Sequence, residues 1–273
     1  MKRFVFIAWQ SCLRWLWLLS GGRREKAMGL ALNLHPNTVW PGRRGLRLPH
    51  DECRSKIVAY ADLVQAHTVC NAIEYIQNPV IIDVGAHHGE YVLLIGGLLK
   101  QNNRGGVIIA IEPDAANIAI LKENVQRNNL QDIVIVVERA VSECAGEMDF
   151  VTQGSESYLL PENSAGKRVA CKVKVETLSD IICRFNLTKV NLLMIDVEGA
   201  ELPVLKGFPW ETMKPAMILC ELHPYNWPIF GYTNKEMEKF LKEYNYRCLD
   251  MYLHEHSSFD KPDYIGPCLF LSK

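Results

Sequence analysis

The stretch "VIIDVGAHHGEYVLLIGG", residues 80–97, decides the fold, because two apolar runs flank a turn that contains two glycines. The run Val80–Val84 has the length and the β-branched side chains of a buried strand, and the run from Tyr91 to Leu99 predicts a helix packed on it. Gly85 and Gly89 permit a tight turn, because a residue without Cβ lets the backbone turn and lets a ligand approach the main chain. The sequence therefore predicts a strand–turn–helix unit that can hold a ligand.

The chemistry of that ligand follows from the residues of the turn. A P-loop ends in Gly-Lys-Ser/Thr and a dinucleotide fingerprint reads G-x-G-x-x-G, whereas the glycines here are spaced G-x-x-x-G. Asp83 would repel a pyrophosphate and attract a cationic ligand with amino and hydroxyl groups. S-adenosylmethionine fits, because it carries an ammonium, a sulfonium and a ribose. An ordinary strand–helix turn explains this stretch equally well when it is taken alone.

A second predicted strand also ends in an acid. The segment "GVIIAIEPDAANIAILKENVQRNNL", residues 106–130, indicates a strand, then Glu112, then a helix that begins after Asp114. In doubly wound sheets an acid at the place of Glu112 accepts hydrogen bonds from ribose hydroxyls; a solvated strand end is the alternative. Asp114 is well suited to cap the helix, and capping alone would explain it. We include both acids among the cofactor-binding candidates.

The third motif is "VNLLMIDVEGAELPVLKGF", residues 190–208. A buried strand delivers Asp196 at its carboxyl end, and Glu201 suits the first turn of the short helix that follows. Ligands of open α/β sheets bind beyond the carboxyl ends of the strands. We therefore expect Asp83, Glu112 and Asp196 to converge on one crevice.

The motifs "DVGAHHGEY", "IEPD" and "IDVEGAELPVLKG" resemble those of the FkbM family of S-adenosylmethionine-dependent methyltransferases, over about residues 79–223. The resemblance implies a Rossmann-like α/β fold: a seven-stranded, mostly parallel sheet with helices on both faces and an antiparallel C-terminal strand pair. It also implies S-adenosylmethionine as cofactor and O-methylation of a hydroxyl on a sugar, glycolipid or natural product. The cofactor-binding candidates in these motifs are Asp83, Gly85, His87, Gly89, Tyr91, Glu112 and Asp114.

Three positions depart from the pattern of the family. His87 stands where many members have Asn, Ser179 replaces the Asp usual after Thr-Leu, and Pro203 takes a place often held by Glu. None of these changes removes a cofactor contact outright. Residues 1–78 have no counterpart in the resemblance, which therefore implies nothing about the N-terminal segment.

Along the rest of the chain, strands and helices alternate, which implies a parallel sheet with helices on both faces. The predicted strands lie at 80–84, 107–112, 133–138, 190–196 and 216–222, and the predicted helices at 55–76, 89–100, 115–128, 177–186, 200–206 and 234–244. A final pair of strands, near 246–253 and 263–271, is expected to be antiparallel because a short loop joins them. Two alternating runs flank a polar loop at 153–168, and a long loop beside a crevice often contacts ligand.

The composition bounds the class of protein. The chain has 273 residues, 48% of them hydrophobic, and a net charge of −1, so it can bury a full core and lacks an overall basic footprint for nucleic acid. The charge is uneven, because residues 1–54 contain ten Lys or Arg and three Asp or Glu. We divide the chain into a basic, apolar extension and linker at 1–54 and a methyltransferase domain at 55–273, with its motif-bearing core at 79–223. Nine cysteines without a C-x-x-C pair favour reduced thiols and a cytoplasmic protein.

The first twenty residues are apolar, aromatic and basic. Gln10 and Arg14 interrupt the apolar run and no small-residue cleavage site follows, which disfavours a secretory signal. Arg14 would also lie in the middle of the bilayer if the segment spanned it. An interfacial helix fits better, because tryptophans suit the membrane–water boundary and arginines attract anionic lipid. A helix packed on the chain's own core fits residues 1–20 equally well.

The strand after the third motif supplies candidates for catalysis. The segment "ILCELHPYNWP", residues 218–228, ends a strand with Glu221 and His223, which point to the same face. A base near the hydroxyl helps an alcohol to attack, and His223 is the preferred base because histidine titrates near neutrality. Asp196, on the adjacent strand, would orient His223 or bind the acceptor. A strand-end histidine with a purely structural role is the alternative.

A metal centre at the same place is a second interpretation, although we predict none. The side chains that would form an oxygen-rich site for Mg²⁺ are those of Asp196, Glu198, Glu221 and His223. Glu198 would also favour the N-terminus of the short helix without any metal. His87 and His88 indicate zinc only weakly, because both lie in a turn assigned to the cofactor.

Three functions therefore compete. The first is an O-methyltransferase with a small-molecule or glycan acceptor. The second is a non-catalytic or scaffold protein on the same fold, anchored through its N-terminal segment. The third is a nicotinamide oxidoreductase, which the missing G-x-G-x-x-G disfavours. The acids at 83, 112 and 196 favour the first function over the second.

Overall fold

A computed structural model describes residues 69–70, 73, 75–152, 157–161, 171–249, 255–256 and 266–272. Its strands, numbered in chain order, are β1 (Val80–Val84), β2 (Val107–Ile111), β3 (Val134–Val137), β4 (Ala140–Val141), β5 (Gly146–Val151), β6 (Tyr158–Leu160), β7 (Cys171–Glu176), β8 (Leu192–Ile195), β9 (Met217–Leu222), β10 (Tyr246–Leu249), β11 (Glu255–His256) and β12 (Gly266–Ser272). The helices are α1 (Glu90–Gln101), α2 (Ala115–Arg127), α3 (Leu178–Arg184), α4 (Glu201–Lys206) and α5 (Asn234–Glu243), and a 3₁₀ helix covers Trp227–Phe230.

The larger of two sheets has the strand order β11-β10-β12-β9-β8-β1-β2-β3. Strands β3, β2, β1, β8 and β9 pair in parallel, whereas β12 is antiparallel to both of its neighbours, β9 and β10. The predicted fold class, a mostly parallel seven-stranded sheet with an antiparallel C-terminal pair, is therefore confirmed. The short strand β11 pairs with β10 and adds an eighth strand at the edge.

Apolar side chains on both faces bury the larger sheet between two groups of helices. On β1, Ile81 belongs to the apolar cluster that includes residues of α1 and α2, and Ile82 belongs to the cluster with residues of α3, α4 and α5. This division follows from the alternation of side chains along a strand. Truncating a fully buried isoleucine of this kind to alanine typically costs about 2–5 kcal/mol. The sheet thus forms a rigid base, and the candidate residues lie at its carboxyl edge.

A second, four-stranded sheet has the order β4-β7-β5-β6. Strand β7 buries Val173 and Val175 and exposes the residues between and before them, as its alternating sequence predicts. The prediction of a loop over 153–168 is wrong in part, because β6 lies within that range. Leu159 of β6 pairs with Phe150 of β5, and both side chains are buried in a small apolar cluster of this sheet. That burial stabilises a strand too short to show an alternating pattern.

Other predictions concern residues outside the described part of the chain. These are the extension at 1–54, the boundary that ends it, and most of the predicted helix at 55–76. Val69, Cys70 and Ile73, from the end of that helix, are helical and buried. Within the described ranges, no helix is long and apolar enough to cross a membrane.

Candidate active site

The turn after β1 lies directly against the end of β8. The amides of Gly85 and Ala86 both donate to the carbonyl of Ile111, which closes the turn over β2. Gly85 has φ +85°, and a Cβ built on it would lie 1.8 Å from the carbonyl oxygen of Asp196. The sequence indicated that Gly85 leaves room for a ligand. The structure shows that the neighbouring strand end already requires glycine at this position.

The carboxylate of Glu112 is held by the turn and by the start of α2. It accepts hydrogen bonds from the backbone amides of His87 (2.9 Å) and Asp114 (3.0 Å) and from the side-chain amide of Asn117 (3.3 Å). Burial raises the pKa of Glu112 although these hydrogen bonds lower it. The alternative of a solvated strand end is therefore wrong, because only 4% of the residue is exposed.

Asp83 is the second buried acid of the crevice. Burial, and then the negative charges of Glu90 and Glu112, raise the pKa of Asp83 to about 7. All three influences oppose ionisation, so a cation placed beside Asp83 would restore the charged carboxylate. The electrostatics of the crevice therefore favour a positively charged ligand.

Asp114 caps α2, as the sequence predicts. Its side chain accepts hydrogen bonds from the amides of Ala116 (2.8 Å) and Asn117 (3.2 Å), and Thr152 donates its hydroxyl to the second oxygen at 3.3 Å. These contacts explain why Asp114 is buried. A direct contact between Asp114 and the cofactor stays a prediction.

The remaining cofactor-binding candidates lie in the turn and at the start of α1, and their contact with the cofactor stays a prediction. His87 has φ +47°, its ring stacks on that of His88 at 3.8 Å, and its Nδ1 lies 3.6 Å from the Glu90 carboxylate. Gly89, with φ +91°, caps α1, and a Cβ there would lie 2.5 Å from Leu121 of α2. Tyr91 is half-buried and packs on the apolar cluster of the same face.

The end of β8 meets the end of β9 through a buried carboxylate. Glu201, at the start of α4, is fully buried. One of its oxygens accepts from the amide of Gly199 at 2.9 Å and from Nδ1 of His223 at 2.8 Å. The other accepts from the indole of Trp227 at 2.7 Å and from the hydroxyl of Tyr232 at 3.1 Å. Glu201 thus fixes the orientation of the His223 ring.

His223 lies among three carboxylates. Its Nε2 is 3.5 Å from Oε2 of Glu198 and 3.9 Å from Oδ1 of Asp196. Burial lowers the pKa of His223, but the hydrogen bond to Glu201 and the charges of Glu201, Asp196 and Glu198 raise it to about 9. The expectation that His223 titrates near neutrality is therefore wrong, because the carboxylates stabilise its cationic form.

Asp196 is the most exposed of the carboxylates near His223. The protein packed around the end of β8, and next the charge of Glu221, raise the pKa of Asp196, while His223 lowers it. The side chain is nevertheless 53% exposed. A carboxylate exposed to this extent can be reached by a ligand.

The three acids predicted to converge do share one edge. Asp83, Glu112 and Asp196 stand at the carboxyl ends of β1, β2 and β8, which are neighbours in the sheet. The sequence model described as the methyltransferase FkbM domain matches residues 83–248. The chain belongs to the FkbM methyltransferase family.

Named relatives of this FkbM chain include two fungal proteins. Methyltransferase sdnD of Sordaria araneosa is 28% identical over an alignment of 174 residues, and the match covers 52% of this chain and 66% of that protein. Methyltransferase 1 of Beauveria bassiana (strain ARSEF 2860) is 27% identical over an alignment of 164 residues, and the match covers 52% of this chain and 64% of that protein. The matched part therefore spans just under two thirds of either relative. Among solved structures, the O-methyltransferase from Bacillus cereus in complex with SAH has a TM-score of 0.46 at 11% identity. The match covers 90% of this chain and 90% of that one.

Two groups of side chains in the described part of the FkbM chain have the spacing of metal ligands. One comprises His87, His88 and Glu90, and the other comprises Asp196, Glu198 and His223; within each group the ligand atoms lie within 4.8 Å of one another. The second group contains three of the four residues that the sequence suggested for Mg²⁺, and it leaves out Glu221.

Sequence reasoning missed the role of Glu201 in this FkbM chain. The sequence indicated only a favourable charge at the N-terminus of α4. Its hydrogen-bond partners His223, Trp227 and Tyr232 lie 22 to 31 residues further along the chain. One local signal was present, because Glu201 opens a short helix whose next four residues are apolar and buried.

Proposed function

We propose that this chain is an S-adenosylmethionine-dependent O-methyltransferase that acts on a hydroxyl of a sugar, glycolipid or natural product. The observation that carries the proposal is the contact between the two halves of the crevice. The turn that carries the buried acids touches the backbone of Asp196 at Gly85. The side chain of Asp196 lies 3.9 Å from Nε2 of His223. A methyl donor and an acceptor bound on either side of this contact would be neighbours.

The turn provides the donor side. The pKa of Asp83 is raised only by influences that a cation would oppose, which suits the ammonium and sulfonium of S-adenosylmethionine. Glu112 is held in place by His87 and Asn117, and a fixed carboxylate at the end of the second strand suits ribose hydroxyls. These residues therefore fit the cofactor in charge and in hydrogen bonding.

The cleft at Asp196 provides the acceptor side. When bound, S-adenosylmethionine would be held by Asp83 and Glu112 and would supply an electrophilic methyl group, with its sulfonium as the leaving group that takes up the electron pair. Asp196, the half-exposed carboxylate of the cleft, accepts the hydroxyl proton. His223 holds Asp196 by opposite charge, and the orientation of both would contribute much of the acceleration.

Calorimetric titration of the full chain with S-adenosylmethionine and with NAD tests the donor. Binding of the first without the second supports the proposal, and the reverse result would favour the oxidoreductase. Transfer of labelled methyl to a panel of glycans, glycolipids and polyketide-type alcohols tests the acceptor. Cofactor binding with no transfer to any hydroxyl compound would favour the scaffold function instead.

The N-terminal segment adds a proposal about location. We propose that the protein is cytoplasmic and that residues 1–20, which lie outside the described part, hold it at a membrane surface. The support is the sequence: three tryptophans and an apolar run, with Arg14 inside it and further arginines behind it.

A further inference from the structure

We propose that Nε2 of His223 and the carboxylates of Asp196 and Glu198 form a binding site for a divalent first-row metal ion such as Mn²⁺. The proposal deepens the proposed function, because the ion would lie on the acceptor side of the crevice. It can nevertheless be tested by metal binding alone, without any turnover.

The spacing of the three side chains is the first support. The Nε2 atom of His223 lies 3.5 Å from the Glu198 oxygen and 3.9 Å from the Asp196 oxygen, which is too far for good hydrogen bonds. Ligands at right angles around an ion with bonds of about 2.1–2.2 Å are about 3 Å apart, and opposite ligands are about 4.3 Å apart. Both distances lie between these two values, and the three ligand atoms lie within 4.8 Å of one another. Oε2 of Glu198 also accepts a hydrogen bond from the Tyr225 hydroxyl at 3.1 Å, and an ion would share that oxygen.

The orientation of the imidazole is the second support. Nδ1 of His223 donates to Glu201, so Nε2 faces Asp196 and Glu198, and an ion bound there would take the place of the proton on Nε2. The ring is buried, with 4% of the residue exposed. A positive charge between the imidazole and the two carboxylates stabilises this arrangement, and either a proton or a metal ion can supply it.

Glu201 completes the arrangement seen around many bound metals. Histidine ligands commonly donate their second N–H to a carboxylate, which fixes the tautomer and the ring orientation. Glu201 is itself held by Gly199, Trp227 and Tyr232. The ring of His223 is therefore presented in one orientation before any ion arrives, which lowers the entropic cost of binding.

The donor atoms define the class of ion. Two carboxylates and one imidazole suit Mn²⁺ and the transition ions that follow it better than Mg²⁺ or Ca²⁺, which prefer oxygen throughout. Three protein ligands leave coordination positions open, and Asp196 reaches the open cleft. An acceptor hydroxyl bound there would lose its proton more readily, with the unbound oxygen of Asp196 receiving it.

A proton on Nε2 of His223 is the alternative to a metal ion at this place. Titration with Mn²⁺ distinguishes the two alternatives. The full chain is treated with EDTA, freed of chelator and titrated with Mn²⁺ by calorimetry, while the electron paramagnetic resonance signal of free Mn²⁺ is followed. We expect a single class of site. Asp196→Asn, at a half-exposed position, should weaken binding at least about 10-fold without loss of folded structure. Glu198→Gln should weaken it as well.

Two control variants locate the ion. Asp149→Asn makes the same chemical change in the second sheet, where Asp149 pairs with Lys172, and should leave Mn²⁺ affinity unchanged. His87→Ala removes a ligand of the other candidate group and should also leave it unchanged. Absence of binding, binding unaffected by Asp196→Asn, or binding lost in His87→Ala would each overturn the proposal.

A titration of the same samples with S-adenosylmethionine keeps the two proposals apart. If the cofactor binds and Mn²⁺ does not, the metal site is wrong and the proposed function stands. If Mn²⁺ binds at His223 and the cofactor does not bind, the metal site stands and the proposed function fails.

Discussion

A Cβ on Gly85 would lie 1.8 Å from the carbonyl oxygen of Asp196, so the turn after β1 and the end of β8 are in backbone contact. Gly85→Ala should therefore destabilise the protein in two ways. The φ of +85° is strained for alanine and the methyl group must displace a strand end, which together cost about 2–5 kcal/mol. Urea unfolding followed by circular dichroism measures the loss.

Gly231→Ala is the matched control for this prediction. Gly231 has φ +74°, but nothing lies within 4 Å of a Cβ built there. Only the backbone strain remains, about 1–2 kcal/mol. Equal losses in the two variants would show that the contact with Asp196 contributes nothing.

Asp83→Ala and Glu112→Ala should weaken binding of S-adenosylmethionine. Each change removes a charged hydrogen-bonding group, worth about 1.5–3 kcal/mol, or about 10- to 100-fold in affinity. Calorimetric titration gives both dissociation constants, and Glu123→Ala, on the solvent side of α2, serves as control. If both variants give the same titration curves as the unmodified protein, the cofactor does not bind at Asp83 and Glu112.

Cofactor affinity should rise with pH up to about 7 and then level off, because the pKa of Asp83 is raised to about 7. A cation favours the ionised carboxylate, so below that pKa binding must first release the proton, and affinity falls by up to about tenfold per pH unit. The free energy of unfolding of the cofactor-free protein changes in the opposite sense. It decreases as pH rises from about 4 to about 7, since the folded state holds the proton more tightly.

Asp83→Asn should abolish most of both pH effects, because the amide does not titrate. Dissociation constants measured at four or five pH values, for the variant and the unmodified chain, check this. A variant with the same slope as the unmodified chain would assign the titration to another group.

His223→Gln should lower turnover about 100-fold, because Asp196 is no longer held in position, while leaving the affinity for S-adenosylmethionine nearly unchanged. The imidazole contacts Glu201 and faces Asp196 and Glu198. All three residues lie in the part of the crevice that we propose for the methyl acceptor, not in the part that we propose for the cofactor. Steady-state rates with a methyl acceptor, together with cofactor titration, separate the two effects. A parallel loss of cofactor affinity would instead indicate that the buried ring maintains the whole crevice.

Deletion of residues 1–20 should abolish flotation with vesicles that contain anionic lipid, because the tryptophans and arginines of this segment would be lost. Vesicles of neutral lipid are the control and should bind the full chain weakly. If the full chain and the deletion variant float equally, residues 1–20 do not bind the membrane and instead pack on the rest of the protein. The intact mass of the native protein shows whether the segment is removed, and we expect it to be retained.

The sequence predicted the elements whose signals are local. The run Val80–Val84 is continuously apolar and β-branched, and Asp114 precedes a helix whose amides it caps. It did not predict β6, because Tyr158–Leu160 is too short to show alternation and depends on pairing with β5. The same limit applies to the site: the cationic state of His223 depends on Glu201, 22 residues away, and spacing along the chain does not show that contact.

The position of β12 has a consequence for how the chain folds. It is the last described strand in sequence, yet it lies inside the sheet, where it joins β9 to β10. Until β12 is synthesised, β9 presents an unpaired apolar edge, and such edges promote association between chains. Closing the sheet also brings together residues far apart in sequence, which slows folding. Loss of Gly266–Ser272 would therefore separate β10 and β11 from the rest of the sheet, so deletion of this one strand should expose an aggregation-prone edge on β9.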